Sequence, residues 1–257
     1  MQGDLQKASL WKRVAAGILD LILIAVLAVG FGWMLSSAVD YSTYSQEYKT
    51  ISQQYADAYG IEVMMPEETF NAMTKQEQDD YRERVQACSQ AMNADEKAVY
   101  HYSMVVNLSL IIVTGGILLS MLVLEFIIPL LLGNGMTVGK KVFALCLIRT
   151  DGVKMSNIQF FTRVILGKFA VETMIPVYVA VMMLLGQTNA ILLLFVIALL
   201  IAQVIMVVMT RNHSLLHDLM AGTVVVDYAS QKIFQSTEDL IAYQKKIAAE
   251  RAARQGY

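Results

Sequence analysis

The chain has 257 residues, of which 56% are hydrophobic and only 16% are charged, whereas a soluble domain carries about 25% charged residues. This composition excludes a disordered or collagen-like chain, and two cysteines are too few for a disulfide-stabilised domain. A formal net charge of -2 gives no basic field that could hold nucleic acid. We therefore expect a protein that lies in the lipid bilayer.

Four stretches are long and apolar enough to cross a bilayer, which takes about 20 residues of helix. They cover residues 14–36, 104–132, 164–185 and 190–210. The first stretch contains Asp20 and lacks a small-residue cleavage site, so we interpret it as a retained span rather than a signal peptide. Residues 186–189 predict a tight turn between the last two spans. The sequence predicts an all-α membrane protein with four transmembrane helices.

Basic residues near the ends of the spans predict the orientation, because they favour the cytoplasmic side. Segment 1–13 has three basic residues and one acidic residue, and segment 133–163 has five basic and one acidic. Segment 37–103 has five basic residues against twelve acidic ones. We expect a multi-pass protein of the bacterial cytoplasmic membrane, with both termini in the cytoplasm.

Segment 37–103 predicts an extended helical hairpin on the outer side. A single helical stripe at steps of three and four consists of Tyr41, Tyr44, Tyr48, Ile51, Tyr55 and Tyr59. The pattern breaks at Gly60 and Pro66, and residues 74–102 again favour a helix. We interpret the stripe as packing between the two helices of the hairpin.

Two β-prone runs, 142–148 and 223–226, predict a small cytoplasmic β element against the inner ends of the helices. Asp151-Gly152 follows the first run and is a strong hairpin signal. Further on, Ser236 with Asp239 three residues later marks the start of a tail helix that should reach about Arg254.

Three motifs lie at the inner ends of the predicted spans. RVAAGILD runs from Arg13 to Asp20, TVGKKV begins at Thr137, and HDLMAGTVVV begins at His217 and contains Asp218. Together they resemble the bacterial RDD family of integral membrane proteins, named for one arginine and two aspartates that match Arg13, Asp20 and Asp218. Ala144 stands where the family usually has a glycine. The resemblance implies a role often suggested to be transport.

The resemblance covers residues 1–36 and 104–227, so the hairpin and the tail depart from the family. This divides the chain into the N-terminus with the first span (1–36), the extracytoplasmic hairpin (37–103), an RDD-like core with spans two to four and the β element (104–227), and the tail helix (228–257).

Three acidic residues lie inside the spans, where an ionisable side chain costs about 2.5–3.5 kcal/mol and normally faces the bundle interior. They are Asp20, Glu125 and Glu172, with Lys168 one turn before Glu172. At a rise of 1.5 Å per residue, all three lie roughly 9–12 Å above the inner ends of their spans. Three acids against one lysine leave negative charge that a bound cation, proton uptake or water would balance.

Glu125 and Glu172 each precede a proline by four residues, Pro129 and Pro176 respectively. Proline cannot donate to the carbonyl four residues earlier, so the pattern predicts a helix bend and a free backbone oxygen at each glutamate. Such oxygens coordinate cations in transporters. We expect Asp20 to face Lys168 or another helix, and Arg13 to reach the interface or Asp218.

Two hypotheses for this cluster stay open. In the first, the carboxylates bind a monovalent cation or a proton that the protein moves across the membrane. In the second, Lys168 pairs with Glu172, Asp20 is hydrogen-bonded nearby, and the cluster is a polar clasp that only fixes helix packing.

For the whole protein, the alternative to cation or proton movement is an accessory or regulatory subunit that binds another membrane protein through its outer hairpin. Four spans form a thin wall around any pathway, so we expect a homo-oligomer or a membrane partner. The chain has no phosphate-binding loop, nucleophile elbow or zinc-protease motif, and we expect neither an enzyme nor a cofactor. His213, His217 and Asp218 could hold a divalent metal, but a fourth ligand is missing and we predict no metal site.

Overall fold

The computed structural model describes residues 5–184, 186, 189–210 and 214–255. Two strands, β1 (Leu145–Arg149) and β2 (Thr223–Asp227), accompany the helices. In chain order the helices are α1 (Leu10–Ala38), α2 (Tyr41–Tyr59), α3 (Glu67–Asn71), α4 (Lys75–Ala94), α5 (Glu96–Leu132), α6 (Val138–Val142), α7 (Asn157–Leu184), α8 (Ala190–Met209), α9 (Leu216–Ala221) and α10 (Thr237–Gln255).

Four of these helices, α1, α5, α7 and α8, are long and apolar enough to cross a membrane. Their exposed side chains include large apolar residues such as Trp33 and Val208, which suits helices surrounded by lipid. The predicted all-α architecture with four transmembrane helices and a small sheet is confirmed. Of the predicted turn at 186–189, residues 187 and 188 lie outside the described residues, as does residue 185 at the end of the third predicted span.

Two membrane helices widen into π-helical turns, over Leu122–Ile127 in α5 and Thr162–Met174 in α7. In a π-helix each N–H donates to the carbonyl five residues earlier, as Ile128 does to Val123. Both π-helical stretches end two residues before a proline. The prediction that the prolines free the carbonyl groups of Glu125 and Glu172 assumed α-helical hydrogen bonds, which join residues four apart. In the π-helical stretches the bonds join residues five apart. The carbonyl groups that the prolines leave without a backbone donor are therefore those of Leu124 and Val171.

The sheet pairs β1 with β2 in antiparallel register, with Leu145 opposite Asp227 and Arg149 opposite Thr223. Lys7 adds a bridge to Val226. Asp151-Gly152 does form a turn, in which the Arg149 N–H donates to the Val153 carbonyl at 2.9 Å. However, Val153 bridges Phe234 rather than starting a hairpin strand, because β1 pairs with the β-branched run of β2, whose side chains are buried.

Each strand follows a short helix and one residue with left-handed backbone. Gly222, with φ +62°, links α9 to β2, and Ala144, with φ 53°, links α6 to β1. Val142 therefore ends a helix, and the strand predicted from residue 142 begins at Leu145. The departure from glycine at Ala144 falls where the backbone conformation favours glycine.

The described chain divides into two compact units, one formed by the chain up to Phe31 and from Gly116 onwards, the other by Gly32–Gly115. In the second unit, α2 ends at Gly60, whose φ is +60°, and α4 begins at Thr74 with a capping box to Glu77. Rings of the tyrosine stripe contact the N-terminal part of α5, as Tyr48 does Tyr102 at 5.5 Å. The predicted helix break at Gly60 is confirmed.

The tail contains α10. Ser236 caps the helix, since its hydroxyl accepts from the Asp239 N–H at 3.1 Å and its own N–H donates to the Asp239 carboxylate at 3.1 Å. The predicted start of the tail helix is confirmed.

Candidate functional site

The first unit contains a cavity of about 470 Å³ that we call the chamber. Residues of the membrane helices, of α6 and α9 and of both strands line it. Aliphatic side chains form much of its wall. Among the described residues, those with charged or ionisable side chains that line it are Arg13, Asp20, Lys140, Arg163, Lys168, Glu172, His217 and Asp218.

Asp218, in the first turn of α9, is held by two arginines. Arg163 donates from Nε at 3.0 Å and from Nη2 at 2.7 Å to Oδ1, and Arg13 Nη2 lies 3.5 Å from Oδ2. Burial by itself would raise the pKa of Asp218, but Arg163, His217 and Arg13 outweigh it and hold that pKa well below its usual range. The structure thus joins Arg13 and Asp218 and adds Arg163, which no motif in the sequence singled out.

Asp20 binds the start of α6. Its carboxylate accepts from the Thr137 hydroxyl at 2.5 Å and from the Gly139 N–H at 2.7 Å, and Lys140 Nζ lies 4.0 Å away. The first N–H groups of a helix lack partners within the helix and favour a carboxylate. Of the two expected partners of Asp20, Lys168 or another helix, the structure shows the second, because Asp20 binds the start of α6.

Lys140 is a largely buried cation of the chamber wall, with 12% of its side chain exposed. Its ammonium contacts the Thr137 hydroxyl at 3.2 Å. Burial lowers its pKa to about 8, although Glu125 and Asp20 act in the opposite direction. Lys140 belongs to the TVGKKV motif. Because Lys141 follows it directly, the motif alone did not show which of the two lysines lines the chamber.

Lys168 donates to Glu125 Oε1 across the two π-helical stretches. Glu125 is buried, and within the described part of the chain its Oε2 atom has no hydrogen-bond partner. The pairing of Lys168 with Glu172 that the clasp hypothesis required is not formed, because Glu172 binds another group.

Glu172 binds His217 through two hydrogen bonds. The His217 backbone N–H donates to Oε1 at 2.9 Å, and the ring Nδ1 lies 2.7 Å from Oε2. Gln203 of α8 also hydrogen-bonds this carboxylate. Burial, and then the Arg163 charge, lower the pKa of His217 below its usual value, which favours a neutral ring.

Gly167 makes the approach of α7 and α9 possible. A Cβ atom at this position would lie 2.7 Å from His217 Cβ and 2.8 Å from His217 Cα, too close for any side chain. The short distance between Glu172 and His217 therefore depends on a glycine five residues earlier in α7.

Among the described residues, the charges of this region balance. Around the chamber, with Glu125 behind its wall, four cations meet four carboxylates: Arg13, Lys140, Arg163 and Lys168 against Asp20, Glu125, Glu172 and Asp218. The excess of negative charge inferred from the sequence is wrong, because three of the four cations come from the ends of the spans and from α6.

His213 lies outside the described residues, so its distance from His217 is not defined. Among the described residues no group of three histidine, cysteine, aspartate or glutamate side chains is arranged to hold a metal ion.

Comparison with protein families identifies one match. The sequence profile described as RDD family matches residues 7–222, which is most of the chain. No curated protein and no solved structure gives a significant match.

Proposed function

The chain belongs to the RDD family, and we propose that it is a multi-pass membrane transport protein that moves protons through the chamber. The observation that carries this proposal is the pair of Glu172 and His217 on the chamber wall, with Oε2 and Nδ1 separated by 2.7 Å. Histidine is the side chain that titrates most readily between pH 5 and 8. A neutral imidazole bound to a carboxylate can take up one proton without rearrangement of the helices.

The balance of charge favours a proton over a metal cation. Asp20, Glu125 and Asp218 each have a lysine or arginine as a neighbour, so a metal ion would have to displace a positive side chain. The displaced lysine or arginine would then be a buried charge without its counter-charge, which is costly. A proton instead binds to Glu172 or His217 and leaves the three ion pairs intact.

Purified protein in liposomes with a pH gradient tests the proposal, with an internal pH-sensitive dye as the readout. We expect wild-type protein to dissipate the gradient, and Glu172→Gln to lower the rate by about a hundredfold. Glu83→Gln, an exposed glutamate of α4, is the matched control and should behave as wild type. Equal rates for wild type and Glu172→Gln, with both proteins folded, would contradict proton movement through this pair.

One observation favours the accessory-subunit alternative. Between α2 and α3 the chain exposes apolar side chains, with Met64 at 87% and Val63 at 54% exposure, and such a surface suits a protein partner. In this case the chain would bind another membrane protein through residues 61–66. Photo-crosslinking from position 64 in native membranes tests it, and a chain without proton flux that crosslinks to one defined membrane protein would favour this role.

A further inference from the structure

The chamber wall combines cationic and aliphatic groups. Arg13, Lys140, Arg163 and Lys168 contribute positive charge, and Ile24 and Val207 contribute apolar surface. The volume of about 470 Å³ lies in the range of small-molecule sites, roughly 300–1,000 Å³. Such a wall suits a solute that has a charged end and an apolar body.

The four cations are not equally neutralised. Lys140 Nζ contacts a hydroxyl at 3.2 Å and lies 4.0 Å from the nearest oxygen of Asp20. Arg163 binds Asp218 through Nε and Nη2, whereas a guanidinium has five N–H donors. Lys168 is 27% exposed although it binds Glu125. Lys140, Arg163 and Lys168 can therefore donate to an anion.

The charge balance controls when an anion can enter. With His217 neutral, the four cations and four carboxylates among the described residues cancel, and an added anion would leave one uncompensated negative charge in a low-dielectric site. One proton on the Glu172–His217 pair makes the chamber positive by one charge. An anion that enters with this proton restores neutrality.

We propose that the solute moved with the proton is an organic monoanion with an apolar body, bound at Lys140, Arg163 and Lys168 when the Glu172–His217 pair is protonated. This inference rests on the proposed proton movement. The proton goes from solution to the pair, no covalent bond changes in the solute, and the loaded chamber is neutral.

The groups that face the pair are consistent with a single proton site. Arg163 and Lys168 lie on the same helix as Glu172, Gln203 of α8 hydrogen-bonds the glutamate, and Asp218 lies beside the histidine on α9. Asp218 is itself clamped by Arg163 and Arg13. The carboxylate that lacks an arginine or lysine partner among these described groups is Glu172.

Binding of benzenesulfonate to the full chain in lipid nanodiscs tests the inference, because this anion is ionised at every pH used and cannot carry the proton itself. We expect its affinity to fall by up to about tenfold as the pH rises from about 6 to 7, below the pKa of Lys140. We also expect one proton to be taken up per bound anion, measured with an indicator dye in weak buffer. Benzylammonium, a cation of similar shape, should not compete.

Two variants separate the roles of the residues. Glu172→Gln removes the carboxylate charge that favours protonation of His217, so benzenesulfonate should bind with the same affinity at about pH 6 and pH 7, where Lys140 keeps its proton, and without proton uptake. Lys140→Met should weaken binding at every pH, while Lys246→Met, an exposed lysine of α10, should not. If Glu172→Gln does not fold, the number of protons that the wild type takes up per bound anion still tests the inference.

Binding of benzylammonium in place of benzenesulfonate, absence of anion binding, or anion binding without proton uptake would each overturn the inference. The liposome experiment reports separately on the proposed function. Proton flux without anion binding removes only the inference. Proton-linked anion binding without proton flux removes the transport proposal and the movement of the anion, and leaves only the proton-linked binding site.

Discussion

Gly139 and Asp20 form a backbone contact that leaves no space for a side chain. The Gly139 N–H donates to Asp20 Oδ1 at 2.7 Å. A Cβ atom on Gly139 would lie 2.3 Å from the Ala16 carbonyl oxygen and 2.9 Å from Asp20 Cγ. The family aspartate of the first span thus binds a helix whose second residue has to be glycine.

Replacement of this glycine should separate α6 from α1. We expect Gly139→Ala to lower the free energy of unfolding by about 1–3 kcal/mol, the usual cost of overpacking. Gly30→Ala in α1, where a Cβ meets no atom within 4 Å, is the control and should be neutral or slightly stabilising. Thermal unfolding in one detergent measures both variants, and equal losses would contradict the steric argument.

The two arginines that contact Asp218, Arg163 and Arg13, should contribute unequally to the stability of the folded protein. Arg163 makes two hydrogen bonds to Asp218 and is buried, whereas Arg13 approaches it to 3.5 Å. We expect Arg163→Ala to destabilise the protein by about 3–5 kcal/mol, as for a broken buried ion pair, and Arg13→Ala by less.

A double-mutant cycle tests the contact between Arg13 and Asp218. The double variant of Arg13→Ala with Asp218→Ala should cost less than the sum of the single variants, since residues in contact are coupled. The yield of folded protein and the thermal midpoint are the readouts. Strict additivity would count against a direct interaction.

Ala144 is strained by its backbone conformation. Its φ of 53° places an L-residue in the left-handed region, which costs roughly 1–2 kcal/mol. We expect Ala144→Gly to stabilise the protein by about 0.5–1 kcal/mol, because part of the relief is offset by the greater freedom of glycine in the unfolded chain. A lower thermal midpoint for this variant would show that the methyl group contributes packing that outweighs the strain.

Lys140 predicts a pH dependence of stability. Its pKa is about 8 in the folded protein against about 10.4 in an unfolded chain. Between these values the unfolded state binds more protons, so the free energy of unfolding rises with pH by at most about 1.4 kcal/mol per unit. Below about pH 8 both states hold the proton, and this contribution is constant.

The stability difference between wild type and Lys140→Met isolates this effect from other titrating groups. It should change with pH above about 8 and stay flat between about pH 6 and 7. A slope confined to the lower range would assign the titration to another group.

The predicted orientation can be tested with introduced cysteines, since native Cys88 and Cys146 are buried. Met64→Cys places an exposed thiol between α2 and α3, and Lys246→Cys places one on α10. A membrane-impermeant thiol reagent should label the first in intact cells and the second only after permeabilisation. The wild-type chain is the control for unwanted labelling, and the reverse pattern would invert the topology.

The sequence predicted the features that depend on neighbouring residues. Apolar runs of sufficient length identified four spans, Gly60 ended a helix, and Ser236 with Asp239 began the tail helix. Each depends on contacts within a few residues, so a local pattern contains the necessary information.

The partners of the buried charges could not be predicted in the same way. The depth of Asp20 in the membrane could be derived from the helical rise. Its partner could not, because that partner is a backbone N–H of α6. The last residue of α6, Val142, was predicted to begin a strand, so the helix was not expected. The pairing of Lys168 assumed α-helical spacing, whereas α7 is π-helical there. Whether Lys168 binds Glu125 or Glu172 depends on how α5, α7 and α9 pack, which no single segment determines.

The sheet joins three parts of the chain that the spans separate: Lys7 before α1, β1 between α5 and α7, and β2 after α8. Strands can pair only on one side of a bilayer. The edge of β1 therefore stays unpaired until α8 has inserted and β2 has left the ribosome. The sheet therefore cannot close before β2 has been synthesised. A chain that stops after α8 would keep that edge open and become a target for aggregation or proteolysis.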